Sequence, residues 1–238
     1  MGIEKIREKI ALLPKKKMAR TEQEFVQRYL GSQKKYLGVA TGDLVKIAKG
    51  VVKEEGSLEI SELINLLDEL FAADNFEEHA VGGKIFTLLK PETRARIPFV
   101  KLEIWIRNAK GWAEIDVICQ SSYSGIEVLK NWNEWKKTIH KFSKDSNVSL
   151  RRASLVLQTR SAKEANDERI RQMAFETIEK LKSEKDILIT KSVSWLLRSL
   201  TILDKEEVRN YLLQNETTLP RIAFRETIKK IETGKKTL

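Results

Sequence analysis

The chain has 238 residues, with 44 Lys plus Arg against 34 Asp plus Glu, for a formal net charge of +10. That length suits one well-buried core or one repeat stack, so a single domain spanning 1–238 is expected, and the basic excess favours a polyanionic partner, nucleic acid first. Cys119 is the only cysteine, so no intrachain disulfide can form and a reducing compartment is the natural setting; His79 and His140 stand apart from any Cys, His or carboxylate cluster, and no glycine-rich phosphate loop occurs. No metal or cofactor is therefore expected. The stretch Met1 to Lys17 is charged throughout and no apolar run approaches the roughly 20 residues of a membrane helix, which gives the expectation of a cytoplasmic protein without membrane contact.

Taken in chain order, the elements are helical. Only four prolines and 11 glycines interrupt a chain rich in Leu, Ile, Lys and Glu. Leu63, Leu66, Leu67, Leu70 and Phe71 recur at helical spacing, as do Trp132, Trp135, Ile139 and Phe142, and then Ile170, Met173, Ile178 and Leu181. Both Trp132 and Trp135 read as core. Polar breaks at Ala73-Asp74-Asn75, Lys144-Asp145-Ser146-Asn147 and Asn215-Glu216-Thr217 offer N-caps for the helices that follow. Segments beginning near Phe76, Trp112, Leu150 and Ile189 recur at intervals of roughly 35 to 40 residues, close to the HEAT/armadillo class of helical repeat. The expected fold is all-α, a superhelical stack of antiparallel helix pairs whose concave basic face could hold a duplex.

Three segments could carry chemistry. From Trp112 to Leu129, the positions Ile115, Ile118, Cys119, Ile126 and Leu129 form one helical stripe, with Trp112, Asp116 and Tyr123 at its edge. A carboxylate is thereby held one turn from an indole, although the same spacing fits an ordinary boundary aspartate beside a core tryptophan. In Lys191 to Arg198 the buried side is Val193, Leu196 and Leu197, and Trp195 shares the opposite face with Lys191 and Arg198, an arrangement suited to a nucleic-acid backbone; burial all round is the alternative, since Leu188 and Ile202 point the same way. Arg151 and Arg152 open a helix whose Leu150, Ala153 and Leu157 face inward, so both guanidiniums are expected to point outward and are able to grip phosphate. Arginine at a helix start is opposed by the macrodipole, which favours an external anion there, while a solvated surface pair fits as well. Lys15-Lys16-Lys17 adds to the general positive field.

In order, Arg28-Tyr29, Tyr36-Leu37-Gly38-Val39 with Thr41, Trp112 with Asp116, Leu150-Arg151-Arg152-Ala153 and Lys191 through Arg198 resemble the bacterial DNA alkylation repair family of HEAT-like-repeat alkylpurine DNA glycosylases, the AlkD type. The resemblance implies Asp116 as the catalytic aspartate, Trp112 and Trp195 as aromatic contacts to the lesion's deoxyribose and backbone, and Arg152 as a neighbouring active-site arginine. It implies Tyr29 close to the lesion, with Thr41, Arg151, Lys191 and Arg198 as further DNA contacts. The implied reaction is hydrolysis of the N-glycosidic bond of a cationic purine, 7-methylguanine or 3-methyladenine, in double-stranded DNA, by a monomer without metal or cofactor. The sequence departs from the family pattern at Ala113, where a second tryptophan can occur, and at Ala40, where a polar side chain is expected. These departures motivate a second expectation, a non-catalytic paralogue that binds branched or distorted DNA. A scaffold for an acidic protein partner also fits charge and repeats, but gives Asp116 beside Trp112 no role.

Overall fold

In a computed structural model, residues 2–53 and 59–235 are described, and the chain divides into two compact units, Met1–Cys119 and Gln120–Leu238. Among the described residues the regular structure is entirely helical, with only two isolated backbone bridges, Lys15 to Val39 and Lys35 to Asn75. The expected all-α, HEAT-like stacking of helix pairs is what each unit displays. No helix among the described residues is long and apolar enough to cross a membrane.

The first unit contains α1 (Ile3–Leu12), α2 (Arg20–Leu30), α3 (Thr41–Lys53), α4 (Ile60–Ala72), α5 (Phe76–Leu88), α6 (Pro91–Ala95), α7 (Phe99–Asn108) and α8 (Gly111–Cys119). Helices α4 and α7 pack on α5 and α8 respectively, and α3, α5 and α8 stack in succession. Helix α4 buries Leu63, Leu66, Leu67, Leu70 and Phe71, the stripe read from its spacing, while α5, started by the Asn75 side chain accepting from Glu78 N at 2.9 Å, is buried on nearly every side. Small residues make that central position possible. A Cβ at Gly82 would lie 3.1 Å from Leu70 Cβ, and one at Gly83 would lie 2.2 Å from Val117 Cγ1 and 2.3 Å from the Val117 carbonyl oxygen. Helix α8 therefore lies against α5 at a separation that only glycine permits.

The second unit contains α9 (Gly125–Lys130), α10 (Trp132–Phe142), α11 (Val148–Val156), α12 (Ser161–Glu164), α13 (Glu168–Leu181), α14 (Ile187–Leu200), α15 (Lys205–Gln214) and α16 (Arg221–Thr233). Here α10 pairs with α11, α13 with α14 and α15 with α16, and α11, α14 and α16 stack in succession around a core that includes Leu155, Ile178, Val193, Leu196, Leu197, Leu212 and Ala223. Asn147 caps its helix through its side-chain oxygen, as its position in a polar break suggests, and Asp167, Asp186 and Asp204 cap theirs in the same way. The break at Asn215 behaves differently. It ends α15, and α16 begins only after Pro220, without a side-chain cap.

Two expectations are corrected. The stripe from Trp112 to Leu129 is not one helix: α8 ends at Cys119, Ser121 takes a left-handed φ of 62°, and Ser124 with Glu127 forms a capping box that starts α9. Ile126 is consequently 81% exposed, and Tyr123 leaves the Trp112 face and packs on Trp135 with ring centroids 5.1 Å apart. Of the tryptophan pair, Trp135 is core but Trp132 is half-buried beneath the Arg169 guanidinium, 5.5 Å from its ring centre. An i, i+3 pair spans only part of a wheel, and α10 turns Trp132 to the rim.

The α5–α8 contact generates a prediction of sign. Gly→Ala ordinarily favours a helix by up to about 1 kcal/mol, yet Gly83→Ala should destabilise the protein by about 1–3 kcal/mol, the cost of overpacking. Gly42→Ala, where a Cβ meets nothing within 4 Å, should be neutral or stabilising. Urea unfolding of both variants checks the pair.

Candidate active site

In the first unit the candidate residues depend on how α8 begins. Gly31 ends α2 with φ of 67°, Gly111 opens α8 with φ of 64°, and the two backbones touch: a Cβ on Gly111 would lie 2.2 Å from the Gly31 carbonyl oxygen. Both left-handed conformation and lack of space require glycine at Gly111. Next to this contact Ser32 Oγ donates to Glu114 Oε1, and Lys110 N donates to Glu114 Oε2 at 3.0 Å. Glu114 is 1% exposed, a carboxylate held inside by donors from the segments preceding α3 and α8. The start of α8 is fixed in position and rotation.

Trp112 and Asp116 occupy one face of α8, a turn apart. Trp112 is half-buried, its Nε1 donates to the Tyr29 carbonyl oxygen at 2.6 Å, and the Tyr29 ring meets it edge-on at 5.5 Å between centroids. Asp116 is 7% exposed, so it sits in largely protein surroundings. Tyr29 itself is 64% exposed. The structure thus brings Tyr29, Trp112 and Asp116 into one neighbourhood at the α2–α8 junction. Ala113 is buried at 3%, so this departure from the family pattern faces the interior.

Thr41 is exposed at the first position of α3, following exposed Ala40. The loop before it is held by Glu77, a fully buried carboxylate that accepts from Leu37 N at 2.9 Å, Gly38 N at 2.8 Å and Val39 N at 3.3 Å. Burial and the Glu77 charge push the neighbouring Tyr36 phenol above its ordinary range, so it stays protonated. Lys15, Lys16, Tyr36 and Thr41 line an open groove beside this loop.

In the second unit α11 and α14 carry the candidates. Helix α11 is buried on most of its circumference, with Leu155 and Val156 as inaccessible as Leu150 and Ala153. This corrects the reading of Arg151 and Arg152 as an outward pair. Arg152 is 4% exposed and its Nη1 donates to the Leu188 carbonyl oxygen at 2.6 Å, reaching the first turn of α14. Arg151 binds Glu184 through Nε at 2.8 Å and Nη2 at 3.1 Å, and its Nη1 donates to the carbonyls of Asp145 and Ser146. Its counter-ion at the helix start is an internal glutamate.

On α14, Lys191 is exposed, Ile187 56% exposed and Trp195 half-buried, so this helix is not buried all round, and Ile202, 54% exposed, lies in the turn beyond its end. Arg198 is engaged within the unit: its Nε donates to Ser194 Oγ at 3.2 Å and lies 3.5 Å from Glu226 Oε2, which also accepts from Ser194 Oγ at 2.6 Å. Burial draws this guanidinium below its ordinary value against the support of Glu226.

Glu114, Glu77 and His79 belong to none of the sequence motifs, yet Glu114 fixes the α8 start, Glu77 holds the loop before Thr41 and His79 lies against the Glu114 carbonyl. A glutamate inside the apolar run Trp112 to Cys119 is the signal that could have drawn attention to Glu114. His79, fully buried on α5, places Nδ1 3.2 Å from the Phe71 carbonyl and Nε2 3.0 Å from the Glu114 carbonyl. Among the described residues no group of three or more His, Cys, Asp or Glu could hold a metal ion.

Stacked helix pairs with these buried anchors define an all-helical repeat protein. The model for the family described as DNA alkylation repair enzyme matches residues 15–231, and the chain belongs to that family. Its work therefore lies in repair of alkylated DNA. Among solved structures, one titled "Predicted DNA alkylation repair enzyme from Enterococcus faecalis" superposes with a TM-score of 0.73 at 18% identity, covering 93% of this chain and 99% of that one, a similarity of fold. Comparison with curated proteins gives no match.

His79 yields a prediction of pH dependence. Burial holds its imidazole below the ordinary value of 6.5, outweighing the Glu114 and Phe71 carbonyls, which favour the charged form. The unfolded chain then binds a proton that the folded chain resists, so stability is full above about pH 6.5 and falls as pH decreases, by at most about 1.4 kcal/mol per pH unit for one proton. His79→Gln should be less stable at pH 7.5 but show a shallower loss between pH 7 and 5.5. Thermal midpoints across that range measure the difference.

Proposed function

We propose that this protein is a DNA glycosylase that hydrolyses the N-glycosidic bond of cationic alkylated purines, such as 7-methylguanine and 3-methyladenine, in duplex DNA and leaves an abasic site. The observation that carries the reading is the Asp116 carboxylate, 7% exposed, one turn from a half-exposed Trp112 whose indole is fixed by the Tyr29 carbonyl. A base that already bears positive charge leaves as a neutral molecule, so no general acid has to protonate it. The barrier lies in the electron-poor sugar. A carboxylate in low-dielectric surroundings stabilises an oxocarbenium-like sugar more strongly than one in water, and can orient the attacking water. The Trp112 ring offers its π face to the same developing cation. This chemistry asks for no metal and no cofactor.

DNA would be held chiefly by exposed groups. In the first unit these are Thr41 and the lysines beside its loop; in the second they are Lys191 and the accessible part of Trp195 on α14. Arg151 and Arg198 act first on the protein, through Glu184 and Glu226, and shape the surface from which DNA is contacted. Arg152 is assigned to the same reaction, as a group that ties α11 to the first turn of α14, the helix that carries Trp195. The protein would work as a monomer.

Asp116→Asn keeps the side chain's volume and removes its charge. Release of 7-methylguanine and 3-methyladenine from methylated duplex DNA should fall by about 10²–10³-fold, the cost of one preorganised electrostatic contact, with duplex affinity retained. Wild-type release no greater than that of the variant, together with tight binding of branched over linear duplex, would establish the non-catalytic DNA-binding alternative instead.

A further inference from the structure

Helix α2 stands apart from the other long helices in that none of its residues is fully buried. Its two aromatic residues are at i and i+4 and both face solvent: Phe25 is 59% exposed and Tyr29 64%. Their rings are nearly parallel, 11° apart in plane with centroids separated by 6.4 Å, and Tyr29 continues edge-on into Trp112. The row Phe25, Tyr29, Trp112 therefore runs from the open surface of α2 to the face of α8 that carries Asp116.

Exposed aromatic rings in a row cost solvation, and a protein that displays them normally covers them with a partner. The charges on α2 narrow the choice of partner. The helix carries Arg20 and Arg28 against Glu22 and Glu24, with Arg20 bonded to Glu24 at 2.8 Å and Glu22 3.8 Å from Lys16, so α2 itself contributes no net positive charge with which to grip phosphate. What it presents is π faces. Sequence-tolerant recognition of nucleic acid through π faces is base stacking, because every base has one.

We propose that Phe25, with Tyr29 beside it, is a stacking surface for an unpaired nucleobase of the bound DNA, so that the protein prefers duplex containing an unstacked base over fully paired duplex. The inference rests on the reading of this chain as a DNA glycosylase and extends it to a residue outside the Trp112 and Asp116 neighbourhood. Stacking at Phe25 would stabilise a distorted strand from outside the helix and leave Asp116 to act on the sugar.

The test uses the full-length protein and two DNA probes with one 2-aminopurine each, either paired with thymine or placed as a single-base bulge. Wild type should bind the bulged probe more tightly and quench its 2-aminopurine fluorescence. Phe25→Ala should weaken bulge binding by at least about fivefold and leave the paired probe within about twofold, as expected for loss of one base–aromatic stack. Phe25→Trp should retain the preference, and Phe25→Leu, apolar but without a π face, should behave as Phe25→Ala. Since Phe25 is mostly exposed, all three should keep the wild-type thermal midpoint. A Phe25→Leu variant that binds the bulge as wild type does, or an equal loss on both probes, overturns the stacking role. Base release that depends on Asp116, alongside a bulge preference indifferent to Phe25, overturns the stacking role alone. Failure of wild type to bind either probe overturns the DNA reading with it.

Discussion

Two glycine backbones in contact, Gly31 closing α2 and Gly111 opening α8, set the geometry on which the candidate site of the first unit depends. No side chain could stand between them, since the Cβ of any other residue at position 111 would meet the Gly31 carbonyl. Their contact brings Ser32 and Lys110 N to opposite oxygens of Glu114. A buried carboxylate is tolerable only when donors replace its lost water, so Glu114 both requires this arrangement and enforces it. With the first turn of α8 fixed, Trp112 must bond back to Tyr29 and Asp116 must follow one turn later. The Gly83 contact with Val117 fixes the other side of the same helix. A catalytic carboxylate needs this kind of support, because electrostatic stabilisation of a sugar cation depends on a group that is already oriented.

The second unit solves a different problem, how to keep arginines near a candidate DNA surface without leaving them all in solvent. Arg152 spends a donor on the Leu188 carbonyl, Arg151 is clamped by Glu184 and two carbonyls, and Arg198 leans on Ser194 and Glu226. Lys191 is exposed by contrast. A net charge of +10 therefore overstates how many cations of this surface are disposed toward solvent, and the internal carboxylates decide which ones are. The same logic separates α2, whose charges cancel and whose aromatic rings remain.

Much of this was legible in the sequence because it is local. The apolar stripe of α4, the caps at Asn75 and Asn147, and the recurrence near Phe76, Trp112, Leu150 and Ile189 depend on residues within a turn or two, and those four segments lie at the starts of α5 and α8, stacked in the first unit, and of α11 and α14, stacked in the second. Where local signals competed, periodicity misled. The apolar spacing from Ile115 to Leu129 ran through a break that Ser124 and Glu127 encode as a capping box, and Ile126 ended in solvent. At Arg151 a helical wheel supplied a direction, but the partner that decided its role, Glu184, lies 33 residues away.

The sequence by itself determined the helical class, the repeat interval, the basic balance and the pairing of Trp112 with Asp116 on one helix face, since spacing along a helix specifies which side chains are neighbours. Only the tertiary structure decided that Asp116 is nearly enclosed, that Ala113 faces inward, that Arg151 is engaged and that Phe25 is not covered. Those outcomes rest on contacts such as Ser32 with Glu114, 82 residues apart, and on the absence of a Cβ at Gly111 and Gly83. A wheel carries angles around one axis, and burial is a distance between two.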